Sequence, residues 1–254
     1  MSSSVPAWVS TLRNHNDAQD NETRSSLPWE ALHKGDTATF TQWLSQLNNV
    51  QELARKDEDG RTLLHWACAQ KEWNPLVPLL LKAGSPIDTC DEAGFTPLHS
   101  SCSCGNTQVV ECLLDAVQSV ASMEKIVNAK TQDSQLTPLH CAASKNNVEI
   151  CKLLIHKGRA SVNVVDKHGY TPLMRAAQKG NNDCLKLLLD NGALCNLRNR
   201  QGDTALHLAC EMGYRETVEI LLAAGIDASI LNEEGYRARD LLAPELQGWW
   251  PERG

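Results

Sequence analysis

One short phrase recurs along the chain and limits what the chain can fold into. It is written most fully as Leu136-Thr137-Pro138-Leu139-His140-Cys141-Ala142-Ala143. Further copies are Thr62-Leu63-Leu64-His65, Thr96-Pro97-Leu98-His99, Thr171-Pro172-Leu173-Met174 and Thr204-Ala205-Leu206-His207. The opening threonines are separated by 34, 41, 34 and 33 residues. A unit that short cannot bury an apolar face by itself. It must stack on its neighbours, so one continuous core runs through the array.

The phrase carries its own physical logic. Threonine can cap a helix by accepting a backbone N–H, and proline at the first helical position lacks an N–H that would go unpaired. The leucine points inward, and the Ala-Ala or Ala-Cys pair keeps the first helix thin so that neighbouring units can approach. A second apolar segment follows in each unit: Val109–Leu114, Val148–Ile155, Cys184–Leu189 and Val218–Leu222. Gly84, Gly158, Gly192 and Gly225 then suit left-handed helix ends. Tips such as Asp57-Glu58-Asp59-Gly60 and Asp166-Lys167-His168-Gly169 suit β-turns. Period and phrase together resemble the ankyrin repeat. The expected fold is therefore an all-α solenoid of about seven helix-turn-helix repeats with projecting β-turn fingers.

Residues 25–243 are expected to form this solenoid, residues 1–24 a disordered tail and residues 244–254 a C-terminal tail. The segment from Ser25 to Lys56 reads as a degenerate first repeat and the segment from Gly235 to Leu242 as a polar last one, since each end meets water. The island of Trp8, Val9 and Leu12 is either part of the tail or a short partner-binding motif. The 41-residue spacing adds about eight residues to the period. They fall within residues 115–129, as a lengthened second helix or a longer loop. Pro75 and Pro78 predict a helix that starts late or bends. Trp249 and Trp250 either fold back over the last repeat or form an exposed tag.

Ten cysteines invite a metal or disulfide reading. Most fall at small-residue positions of helices, where a reduced thiol serves as a small apolar side chain. Cys102-Ser103-Cys104 lacks a second pair at zinc-binding spacing. No secretory signal or membrane-spanning run is evident, which implies a reducing intracellular compartment. A net charge of -7 argues against broad nucleic-acid binding. His65, His99, His140 and His207 recur at one position, so their expected role is a hydrogen bond to backbone or to the next repeat's threonine. No phosphate loop, nucleophile elbow or metal-ligand cluster is present, and no cofactor is expected.

Function must then come from a surface, and stacked repeats offer a concave one. Its early tips are acidic through Asp57, Glu58, Asp59, Asp91 and Glu92. Lys145, Lys167, Arg175, Lys179, Arg198 and Arg200 make the later half basic. A partner with a basic patch facing the early repeats and an acidic patch facing the later ones would match this gradient.

Three stretches are more specific than a generic repeat: Asp59-Gly60-Arg61-Thr62-Leu63-Leu64-His65-Trp66-Ala67-Cys68, Ala142-Ala143-Ser144-Lys145-Asn146 and Arg175-Ala176-Ala177-Gln178-Lys179-Gly180-Asn181. In them the chain resembles the gankyrin family of proteasome assembly chaperones over about Asp57 to Leu242. The repeat count and the long third repeat resemble the fungal form. The resemblance implies a non-enzymatic protein, cytoplasmic and nuclear and monomeric when free. Its implied partner is the C-terminal domain of one ATPase of the proteasome regulatory-particle base, held so that premature docking on the core particle is blocked. No nucleic-acid or membrane partner is expected. The matched contact positions are Arg61, Trp66, Lys145 and Arg175, with Phe95 where the family usually has Trp. The family's Leu-x-Cys-x-Glu motif becomes Leu208-Ala209-Cys210-Glu211-Met212, so Met212 breaks it and that activity is not carried over. Changing Lys145 and Arg175 together to Glu is expected to weaken binding without unfolding the chain. The alternative is a generic ankyrin scaffold or an inhibitor of a signalling or transcription protein.

Overall fold

The computed structural model describes residues 28–250 apart from 33, 35 and 48. The expected tail at residues 1–24 and the apolar island at Trp8 lie outside the described residues. Seven helical units follow one another. The first has a helical turn at residues 28–32 and α1 (Thr37–Ser45), with the Asp36 carboxylate accepting the Thr39 N–H at 3.0 Å. The second has α2 (Leu63–Ala69), a 3-10 turn (Lys71–Trp73) and α3 (Leu76–Lys82). The third has α4 (Pro97–Cys104), α5 (Thr107–Asp115) and α6 (Val120–Val127). The fourth has α7 (Pro138–Ser144) and α8 (Val148–Lys152), which runs into a π-helical turn (Leu153–Lys157). The fifth has α9 (Pro172–Lys179) and α10 (Asn182–Asp190), and the sixth has α11 (Ala205–Glu211) and α12 (Arg215–Ala223). The seventh has a 3-10 turn (Ala238–Leu241) and α13 (Pro244–Gln247).

The repeated threonine starts each inner helix. Thr62, Thr96, Thr137, Thr171 and Thr204 hold extended backbone at the N-cap, each in a reciprocal capping box with the residue three positions on. The inner helices α2, α4, α7, α9 and α11 stack on one another, and the outer helices line up behind them. Their close approach rests on the small pairs Ala67-Cys68, Ser101-Cys102, Ala142-Ala143, Ala176-Ala177 and Ala209-Cys210, all fully buried. All ten cysteines are free thiols, and burial pushes those of Cys68, Cys102 and Cys141 up and that of Cys210 up to about 12. These four serve as small core residues, and their raised pKa disfavours the nucleophilic thiolate.

Three hydrogen-bond ladders tie unit to unit. Each finger donates one N–H to the finger before it, from Glu92 to Asp59, Gln132 to Ala93, Lys167 to Ser134, Arg200 to His168 and Glu233 to Gln201, at 2.9–3.0 Å. Each of His65, His99, His140 and His207 spans two units. Its Nε2 reaches a carbonyl of the next unit at 2.9–3.1 Å: Phe95 from His65, Leu136 from His99, Tyr170 from His140 and Tyr236 from His207. A carbonyl only accepts, so Nε2 carries the proton and Nδ1 accepts the N–H of the capping threonine at 3.1–3.2 Å. The threonine is that of the histidine's own repeat, not the next one; the ring is too short to reach past the finger carbonyl. Met174 interrupts this ladder between the fifth and sixth units. The third ladder runs through asparagine amides: Asn106 to the Cys68 carbonyl, Asn147 to Cys102 and Asn181 to Ala143, at 2.8–3.0 Å.

Several expectations are corrected. The extra residues of the long spacing form neither a longer second helix nor an open loop. Ser119 caps a separate helix, α6, by accepting the Ser122 N–H, and Ile126 and Val127 bury it against the solenoid. One further residue lengthens the finger of the fourth unit, where Thr131 stands for aspartate and Gln135 takes the left-handed conformation that glycine holds in the others. Pro75 caps α3, so that helix starts late, as its prolines predict. Gly158 is right-handed, and Arg159 supplies the positive φ instead. Within the expected C-terminal tail, residues 244–250 include α13, and Trp249 and Trp250 fold back against the core with the Arg215 guanidinium 5.4 Å above the Trp249 ring. The described residues contain no strand, only one bridge between Leu231 and Arg237.

Candidate protein-binding face

The fingers and inner helices share one face, and the repeat register places its side chains in columns. The residue before each capping threonine gives Arg61, Phe95, Leu136, Tyr170 and Asp203, and Tyr236 holds the same place before the Arg237 cap of the last unit. The fourth residue after it gives Trp66, Ser100, Cys141, Arg175 and Leu208, and the eighth gives Gln70, Cys104, Lys145, Lys179 and Met212. In the early repeats these columns enclose a shallow recess of about 230 Å³ lined by Arg61, Trp66, Asp91, Phe95, Ser100 and Cys104. Two aromatic rings and a guanidinium border it, a composition typical of protein-binding anchors.

The recess is held open by specific contacts. Trp66 donates its Nε1–H to Asp57 Oδ2 at 2.7 Å. The Arg61 guanidinium lies 5.3 Å over the Trp66 ring and donates Nε–H to Asp91 Oδ2 at 3.3 Å. Phe95 stands edge-on to His99 at 5.6 Å. Asp59 and Glu92 sit on adjacent fingertips with exposed side chains, and the Glu92 N–H binds the Asp59 carbonyl. In the fifth repeat, Arg175 lies 4.3 Å over Tyr170 and forms an ion pair with Asp166, whose side chain is wholly buried. Burial holds His65, His99 and His140 below the usual imidazole range, the last two at about 4, which fixes them as neutral scaffold.

Lys145 ends α7 and Lys179 ends α9; both are exposed and neither forms an ion pair among the described residues. Arg198 is placed differently. Six residues before its threonine, it shares a column with Lys56 and Lys130, which brace neighbouring finger stems through the Cys90 and Val165 carbonyls. Arg198 braces in the same way, through the Gly202 carbonyl at 3.0 Å and Glu233 at 3.1 Å. It is therefore not brought together with Lys145, Arg175 and Lys179. The charge gradient narrows as well. Asp57 and Asp91 are spent on their own turns and on Trp66 and Arg61, and Arg175 is already paired. The Lys145-Arg175 double change to Glu no longer isolates binding, because Glu at 175 would face the buried Asp166 carboxylate.

Sequence reasoning missed Tyr170, Tyr236 and Leu136, which extend the aromatic and apolar column begun by Phe95. Aligning the repeats on their threonines would have exposed that column. No helix among the described residues is long and apolar enough to cross a membrane, and no three His, Cys, Asp or Glu side chains among them are placed to hold a metal.

The family described as ankyrin repeats (3 copies) matches residues 27–122, 68–166, 116–199 and 158–232 in overlapping segments. The chain belongs to the ankyrin-repeat family and is a protein-binding scaffold. It is 32% identical over 168 residues to a Saccharomyces cerevisiae protein named probable 26S proteasome regulatory subunit p28, covering 54% of this chain and 73% of that one. It is 40% identical over 99 residues to the SMC5-SMC6 complex localization factor protein 1 of Bos taurus, covering 39% of this chain and only 9% of that protein. Among solved structures, the ankyrin-repeat domain of Bcl-3, described as a member of the IkappaB family, superposes with a TM-score of 0.74 at 26% identity, covering 86% of this chain and 94% of that domain.

Proposed function

We propose that this chain is a non-enzymatic chaperone of proteasome assembly, which holds the C-terminal domain of one regulatory-particle base ATPase on its concave face. The observation that carries the reading is the similarity to the yeast proteasome regulatory subunit over 73% of that protein's length. Arg61, Trp66, Phe95 and the exposed Asp59 and Glu92 form one anchor at the early repeats. Lys145, Arg175 and Lys179 form the other. The chain works in the cytoplasm and nucleus and is a monomer when free.

The test is a pull-down with the purified C-terminal domains of the base ATPases. One of them is expected to bind, and Lys145→Glu with Lys179→Glu is expected to weaken it at least ten-fold while the melting temperature stays put. Both lysines are exposed and form no ion pair among the described residues, so their reversal costs little stability. Retention of no ATPase domain would sink the reading. The likeness to Bcl-3 favours a second reading, a scaffold or inhibitor for a signalling or transcription protein. Co-purification of such a protein from cells, without proteasome subunits, would select it.

A further inference from the structure

The first residue of each finger has a divided role. In five fingers one side-chain oxygen builds the turn. Asp57 Oδ1 accepts the N–H groups of Asp59 and Arg61, and Asp91 Oδ1 those of Ala93 and Phe95. Asp166 Oδ1 takes those of His168 and Tyr170 at 2.8 and 2.9 Å. Asn199 and Asn232 do the same with their Oδ1 atoms. The turn therefore needs only one oxygen, and an amide suffices for it.

The second oxygen exists only in the three aspartates, and each time it holds a donor on the binding face. Asp57 Oδ2 takes Trp66, Asp91 Oδ2 takes Arg61, and Asp166 Oδ2 takes Arg175. The two asparagines direct their amides to Asp203 instead. At Arg175 the clamp is most complete. Its Nε–H and one Nη2–H converge on Asp166 Oδ2, and the Tyr170 ring supports the guanidinium plane. Among the described residues its Nη1 meets only Gln178, at 3.5 Å. The Nη1/Nη2 edge, which fits a carboxylate in a two-pronged contact, stays open while the rest of the group is fixed.

We infer that Asp166 is a positioning residue that pre-sets Arg175 on Tyr170, so that its Nη1/Nη2 edge receives a carboxylate of the bound partner. Fixing the side chain before binding removes an ordering cost that a free arginine would carry. The partner's identity as a base ATPase rests on the proposed function; the positioning of Arg175 does not. Asp166→Asn keeps the turn, as Asn199 and Asn232 do, but turns a donor toward the guanidinium.

Two measurements decide it. In the free protein, the Arg175 Nε–H should give a slowly exchanging NMR resonance that disappears in Asp166→Asn with the backbone spectrum retained. Equal exchange in both proteins would overturn the positioning. Against the ATPase domain that the wild type retains, Asp166→Asn should weaken binding about ten-fold, and Arg175→Lys likewise. In an Arg175→Gln background Asp166→Asn should change nothing further. An equal loss in both backgrounds would show that Asp166 acts through the whole finger and would refute the inference. A wild-type chain that binds none of these domains overturns the functional reading alone, and the Nε–H exchange then decides the positioning.

Discussion

The histidine ladder makes the solenoid sensitive to mild acid. His99 and His140 are each locked as the neutral Nε2–H tautomer between two units. Protonating Nδ1 would set two donors against each other at the capping threonine. Burial holds both rings at about 4, against 6.5 for an unburied histidine. The unfolded chain therefore binds more protons than the folded one between pH 6.5 and about 4. Stability is full above pH 6.5 and falls as the pH drops through that window. At pH 5 each ring costs about 2 kcal/mol relative to pH 7.5, so the pair costs about 4 kcal/mol. His65 adds in the same direction. That is a large part of the roughly 5–15 kcal/mol that holds a typical domain folded. Urea unfolding followed by circular dichroism at pH 7.5 and 5.0 reads the difference as a lowered midpoint at constant slope. An unchanged midpoint, or imidazole resonances that titrate near 6.5 in the folded protein, would refute the buried-tautomer argument.

Other perturbations follow from single contacts. Gly158→Ala would place a methyl 2.9 Å from Val127 Cγ1 and 2.7 Å from the Leu154 carbonyl, so α6 must shift. The expected loss is about 1–3 kcal/mol, read as a lower melting temperature. Met174→His would restore the missing rung between the fifth and sixth units, offering an Nε2–H to the Asp203 carbonyl. A gain of about 1 kcal/mol in urea unfolding is expected. Arg175→Glu removes the counter-ion of a wholly buried carboxylate and adds a like charge, costing about 3 kcal/mol by the same assay.

The scaffold was legible because its signals are local and repeated. Thr137, Pro138, His140 and the Ala142-Ala143 pair each meet a need of every layer, so the same letters recur at the same phase. Departures from the period were harder to read. α6 is announced only by Ser119, and one serine cannot distinguish a new helix from a loop. The asparagine rungs at Asn106, Asn147 and Asn181 were invisible because each side chain answers a carbonyl 38 or 45 residues earlier in the chain. The site was half legible. Arg61, Trp66 and Arg175 stood out by resemblance, but Asp57 and Asp91 read as acidic tips facing a partner and Asp166 as part of a turn. Their turns are local and visible as an aspartate three residues before a glycine. The partner of the second oxygen lies nine residues away at Trp66 and Arg175 and 30 at Arg61, beyond any local pattern.

Position relative to the threonine, more than residue type, then decides what a charge does. Arg175 and Arg198 are the same residue and both are paired. Arg175 follows its threonine by four residues, stands on an inner helix and keeps an open edge on the face of fingers and inner helices. Arg198 precedes its threonine by six, and its guanidinium is divided between the Gly202 carbonyl and Glu233 within the finger stems. Counting charges along the sequence treats them alike and overstates the basic half. Counting only the inner-helix positions of the later repeats leaves Lys145, Lys179 and the clamped Arg175, three cations from two adjacent repeats, with Lys167 and Arg200 on the fingertips beside them. Under the proposed function, a partner therefore needs an acidic patch centred on the fourth and fifth repeats. Reversing Lys145 or Lys179 should consequently weaken binding more than reversing Arg198, whose loss falls on stability.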